Sequence, residues 1–225
     1  MRIIFISFLL FSTVAFADSE EAILSGEFDL VEWRSQGVGL WDGEIFLGNA
    51  ADNALVFKTS AALFDERENA HEIQLLGQTG INDSWVFRAG VRADSYPEPT
   101  RNWGVISFTG ETESGTALEA TAFANDANQS LLLGAEHFFE ITPRLKLIPK
   151  AELTFFGNDD IDTSIGEGLS TLEVGLRLRY IVNPVFKPYV GINWINSYGR
   201  TRDILDAELS RTQNFNWRAG FTLAF

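Results

Sequence analysis

Between residues 172 and 180 the even positions Leu172, Val174, Leu176, Leu178 and Tyr180 are apolar, and the odd positions between them are Glu173, Gly175, Arg177 and Arg179. A period of two is the signature of a strand with one apolar face, because no helix keeps those residues on one side. The same alternation returns at the end of the sequence, where Phe215, Trp217, Ala219, Phe221, Leu223 and Phe225 form the apolar set. Read along the whole chain, the pattern predicts twelve strands, near residues 27–35, 40–48, 54–63, 71–80, 85–93, 102–110, 116–124, 130–140, 145–156, 169–181, 186–198 and 213–225.

The connections divide into two kinds. Those at 49–53, 81–84, 111–115, 141–144 and 182–185 are short and carry Asn, Asp, Gly or Pro where a tight reversal needs them. Those at 64–70, 94–101, 125–129, 157–168 and 199–212 are mostly longer. Outer-membrane barrels have short periplasmic turns and long outer loops, and an even strand number returns both termini to the periplasm. The expected fold is therefore all-β, a transmembrane antiparallel β-barrel of twelve strands in an up-and-down meander.

Alternation by itself also fits a soluble β-sandwich, in which the apolar face meets a shared core instead of lipid. Aromatic placement favours the barrel: Trp41, Trp85, Trp194, Trp217, Phe139, Tyr180 and Phe225 fall near strand ends on the apolar face, as interfacial girdles do.

The first residues read as an export signal. Arg2 precedes an apolar stretch over 3–14, and Ala15, Phe16 and Ala17 form a small-x-small cleavage pattern. That stretch is too short for a membrane anchor, which needs about 20 apolar residues. The expected division is a signal peptide at 1–17, a short periplasmic tail at 18–26 and the barrel domain at 27–225.

Charge then separates inside from outside. Lys and Arg number 17 against 31 Asp and Glu, a formal net charge of -14, which disfavours nucleic-acid partners and favours cations. There is no cysteine and hence no thiolate site. With the apolar alternates facing lipid, the lumen receives Glu32, Arg34, Asp42, Glu44, Lys58, Glu72, Arg88, Arg92 and Lys146 along with Glu119, Glu136, Lys150, Glu152, Glu173, Arg177, Arg179 and Arg218. Such a balanced set should cross-pair, because an unpaired charge in a confined interior is costly. The surplus acid falls in or beside the outer loops, as at Asp126, Asp159, Asp160, Asp162, Glu167, Asp203 and Asp206, where it can bind divalent ions loosely or bridge to lipopolysaccharide.

The two histidines, His71 and His137, sit at opposite ends of different strands and cannot share a metal. The best metal-ligand set is His71 with Glu66, Glu68 and Glu72, an imidazole with carboxylates that could ligate a cation. Neither histidine is tied to a nucleophile motif, so no enzyme is expected; an outer-membrane phospholipase is the catalytic competitor.

Several stretches together carry a family resemblance. They are LIPKAEL at 147–153, FGNDD at 156–160, GEGLSTLEVGLRLRY at 166–180 and KPYVG at 187–191, with shorter echoes at 31–34, 41–43, 57–59, 74–76 and 90–92. In these the chain resembles the outer-membrane copper resistance protein B family over most of 28–225. The resemblance implies an outer-membrane protein that takes part in copper binding or efflux from the periplasm, alongside periplasmic copper-handling proteins. The alternative is a structural or small-solute barrel with acidic, loosely cation-binding loops. Family members commonly carry a Met- and His-rich segment ahead of the barrel, and residues 18–26 contain neither residue.

Overall fold

A computed structural model describes residues 24–35, 37–49, 52–64, 70–95 and 100–225. The expected signal peptide and most of the expected tail lie outside these residues.

The strands are β1 (Leu24–Arg34), β2 (Val38–Gly48), β3 (Ala54–Phe64), β4 (Ala70–Asn82), β5 (Trp85–Asp94), β6 (Arg101–Glu111) and β7 (Thr116–Ala124). They continue as β8 (Gln129–His137), β9 (Phe139–Thr142), β10 (Leu145–Phe156), β11 (Gly168–Tyr180), β12 (Phe186–Ser197) and β13 (Gln213–Ala224). Each pairs antiparallel with its sequence neighbour, and β13 returns to β1 with Arg218 opposite Arg34 and Ala224 opposite Glu27. Both β8 and β9 pair with β10 and form one interrupted strand, so the molecule is a closed twelve-strand barrel. The break has a local cause. Register runs from Leu147 opposite Phe139 to Lys150 opposite Glu136, which leaves Ile148 and Pro149 facing the gap. Pro149 has no N–H to give to the ladder.

The short turns form as their residues dictate. Asn183 Oδ1 accepts the backbone N–H of Val185 and of Phe186, and Asn82 Oδ1 accepts that of Ser84. Gly115, at φ 78°, closes the turn after β6 in a conformation that a side chain would oppose.

Burial is inverted relative to a water-soluble protein. Along β11, Arg177 and Arg179 are buried while Leu176 and Leu178 between them are exposed, with 1% of Arg177 accessible against 37% of Leu176. Val190, Ile73, Val91, Ile106 and Trp217 are exposed in the same way on other strands, while Glu32, Asn193, Asn216 and Arg218 are buried. Among the described residues no helix is long and apolar enough to cross a membrane. Strands do the crossing: lipid covers the apolar face, and closure pairs the backbone groups that an open edge would expose. This inversion excludes the β-sandwich and places the protein in the outer membrane.

The expected girdles are present at Phe139, Tyr180, Trp217 and Phe225, all strongly exposed, with Trp41, Trp85 and Trp194 half-buried. The alternation did not forecast an apolar block on the inner face of the β2–β8 wall. There Val56, Leu76, Trp103, Val105 and Phe123 pack together against Phe46, Ala54 and Leu132.

Candidate functional site: the charged interior and the outer rim

Several ion-pair groups occupy the interior. The largest begins at Glu32, whose carboxylate accepts from Arg34 Nε at 2.7 Å and from the Tyr189 hydroxyl at 3.0 Å, with Arg218 Nη1 at 3.6 Å. Arg34 also reaches Glu173 at 3.4 Å. Beside it, Arg177 bridges Asp29 at 2.9 Å and Glu136, and Arg179 joins Asp29 at 2.7 Å. These bonds tie β1 to β11 and β11 to β8 across intervening strands. Lys150 bonds Glu152 at 3.2 Å.

Two smaller groups lie against the apolar block. Glu44 holds Lys58 at 2.8 Å and Arg88 at 3.1 Å, and Arg88 Nε donates to Gln78. Glu72 and Asp94 both hold Arg92, Trp103 Nε1 donates to Asp94, and the Arg92 guanidinium stacks 4.7 Å over Phe123. Glu119 stands apart, accepting from the Thr121 hydroxyl, which also bonds Ser107.

The eight residues expected to line the lumen thus fall into distinct settings. Glu173 and Arg218 join the Glu32 group, Glu136, Arg177 and Arg179 gather around Asp29, Lys150 and Glu152 pair with each other, and Glu119 accepts from the Thr121 hydroxyl. Sequence reasoning missed Asp29 and Tyr189. Register shifts between Phe28 and Leu30 against β2, and between Phe28 and Val31 against β13, so Asp29 sits in a bulge. The inserted residue turns toward the arginines a side chain that strict alternation assigns to lipid.

Of the expected metal set the structure describes His71 and Glu72, which leave opposite faces of β4. His71 is exposed on the outward face, its ring 5.7 Å from that of Trp41, while Glu72 leaves the opposite face of β4 to bond Arg92 and Gln74. Glu66 and Glu68 lie outside the described residues. Among the described residues no three His, Asp or Glu side chains are grouped as a metal would need.

At the outer rim the last loop contains a helix that the sequence pattern did not reveal, α1 (Gly199–Ala207). It docks on the loop after β10: Thr201 Oγ1 accepts from Gly166 N at 2.9 Å and lies 2.9 Å from Ser170 Oγ, and Ser164 Oγ donates to Glu208 at 2.7 Å. Asp159 accepts from the backbone N–H of Glu167 and from Arg200, and these contacts hold its carboxyl below its ordinary value of 3.8. Arg101 reaches Asp160 at 3.2 Å, and Asn128 ties the preceding loop to Asn158. Asp126, Asp162, Glu167 and Asp203 have no ion pair among the described residues.

Comparisons with known proteins agree with this architecture. The profile of the family described as copper resistance protein B precursor (CopB) matches residues 22–225. The chain is 37% identical over 179 residues to a copper resistance protein B homolog of Pseudomonas syringae pv. tomato (strain ATCC BAA-871 / DC3000), covering 78% of this chain. It spans 60% of that relative's length. To copper resistance protein B of Escherichia coli it is 32% identical over 201 residues, which cover 88% of this chain and 68% of the relative. Among solved structures, NanC porin aligns over 89% of this chain and 99% of its own, with a TM-score of 0.57 at 12% identity. KdgM porin aligns over 90% and 98%, with a TM-score of 0.51 at 13% identity. At such identities the porins bear on the fold alone.

Proposed function

Because the chain belongs to the copper resistance protein B family, a family of non-enzymatic outer-membrane barrels, we propose that it handles cations at the cell surface without a preformed metal site. In this reading the interior charges fasten the barrel. Asp126, Asp162, Glu167 and Asp203 on the outer loops hold divalent ions, copper among them, loosely and reversibly. One observation carries the proposal: Glu32, Glu44, Glu72, Glu136, Glu152 and Glu173 inside the barrel are each committed to an arginine or lysine, whereas among the described residues the outer-loop carboxylates Asp126, Asp162 and Glu167 form no such pair. A hard oxygen-ligand environment with no fixed geometry favours weak, exchangeable binding. Copper tolerance is the physiological setting to which the relatives' names point, and periplasmic copper-handling proteins are the partners this reading calls for.

A second reading keeps a discrete copper site at His71 with Glu66 and Glu68, supported by the exposed imidazole beside a loop rich in acid. Titration of the refolded barrel with Cu(I), Cu(II) and Zn(II) separates the two. Loose binding gives a shallow, multi-site isotherm that His71→Ala leaves unchanged and that weakens when Asp162 and Asp203 are changed to Asn. Saturable one-site copper binding lost in His71→Ala would overturn the first reading in favour of the second.

A further inference from the structure

Opposite the apolar block, the β11–β13 wall carries buried hydrogen-bond donors without acceptors. Register pairs Arg177 with Gly191 and Gly191 with Arg218, and the adjoining rung pairs Gly175 with Asn193 and Asn193 with Asn216. The glycines let Arg218 lie flat on the wall: a Cβ at Gly175 would fall 2.2 Å from its Nη2, and one at Gly191 would fall 3.2 Å from its Nε. Arg218 is 5% exposed, and among the described residues its one ionic contact is Nη1 to Glu32 at 3.6 Å. Its Nε and Nη2, which together form the planar edge that takes a carboxylate through two parallel bonds, have no partner.

The surroundings do not supply what is missing. Nε of Arg177, Nε of Arg179 and both polar atoms of Asn193 are also unpartnered, as is Asn216 Oδ1. Five open nitrogen donors therefore face two open acceptors. Glu32 already accepts from Arg34 and Tyr189, and the Asp29 oxygens are taken by Arg177 and Arg179. Buried polar groups left this way mark an absent partner. A surplus of donors calls for a ligand that only accepts.

We propose that this wall binds a small carboxylate or oxyanion, seated on the Nε–Nη2 edge of Arg218 and the amide of Asn193. The donors are closed off from water, so the anion enters as the guanidinium lifts from Gly175. The site is independent of cation binding at the outer loops, and either can fail without the other.

Calorimetric titration of the refolded barrel with acetate and with phosphate, in a constant chloride background, provides the test. Saturable one-site binding of at least one of the two is expected. Arg218→Lys keeps the charge but loses the planar edge, and should weaken that binding by about tenfold or more. Arg144→Gln, in a periplasmic turn, should leave it unchanged. Should Arg218→Lys fail to refold, Asn193→Ala provides the same comparison. No saturation with either anion in the unaltered protein, or undiminished affinity in the altered wall, overturns the proposal.

Discussion

Glu32 is fully buried, and Arg34, Tyr189 and Arg218 converge on it, so its negative charge is the counterion of Arg218 and, together with Glu173, of Arg34. Replacing the charge while keeping the shape, as in Glu32→Gln, leaves both arginines undercompensated. Breaking a buried pair from one side costs about 3–5 kcal/mol. We expect Glu32→Gln to lower the stability of the folded barrel by roughly 3 kcal/mol, read from the urea midpoint of unfolding in detergent. Adding Arg34→Gln should recover part of that loss, because the second change removes one of the stranded charges. Equal and additive losses in the two single variants would mean that the pair is not coupled. By contrast Arg202 and Asp206, 3.8 Å apart and more than half exposed on α1, should be neutral to substitution within about 0.5 kcal/mol.

At the scale of elements, departures from regular alternation locate what the sequence concealed. In strand β1 the bulge reverses the pattern: Phe28 before it and Trp33 after it both face lipid, and Asp29 turns inward between them. A period-two template has no place for the inserted residue, so Asp29 went unassigned. The gap between β8 and β9 was legible in principle, since Pro149 stands in the partner strand, but it needed the register, which only pairing fixes. Helix α1 was hidden because its stability comes from docking, with Gly166 packed so closely on its first turn that a Cβ would fall 2.4 Å from the Thr201 nitrogen. Gly166→Val should therefore detach α1 from the loop after β10, seen as faster proteolysis within 199–212 while the barrel keeps its strand circular dichroism. The Asp159 contact with Glu167 N–H and Arg200 predicts the acid behaviour of the same cap. A carboxyl whose folded value lies below the ordinary 3.8 adds stability that is complete above that value and is lost as pH falls through the lowered one. Protection of the cap from protease should thus hold down to about pH 4 and fall away in stronger acid. In Asp159→Asn the acid-dependent step should disappear, and a step that survives unchanged would assign it to another group.

For the whole molecule, strand number, turn placement and the lipid face were legible because closure, bilayer thickness and side-chain alternation each impose a period on the sequence. What lies inside was less so. Leu76 and Val105 each stand next to a residue as apolar as themselves, Leu75 and Ile106, so nothing in the pattern separated the inner block from the lipid face, and its existence follows only from the assembled wall. The same inversion makes opposite substitutions informative. Leu176 faces lipid midway along the apolar row of β11, flanked across the sheet by Pro149 and Ile192, while Arg177 one residue on is buried inside. An arginine at a mid-membrane lipid-facing position costs about 2–4 kcal/mol. Leu176→Arg should therefore destabilise the barrel in lipid vesicles by roughly that amount, measured as reduced folding yield and a lower urea midpoint. In a water-soluble sandwich the same side chain would be covered by protein, and the purified chain would stay monomeric without detergent. Solubility of the folded chain in plain buffer, or indifference of its folding in vesicles to Leu176→Arg, would remove the lipid from the outer face and the charges from the interior together.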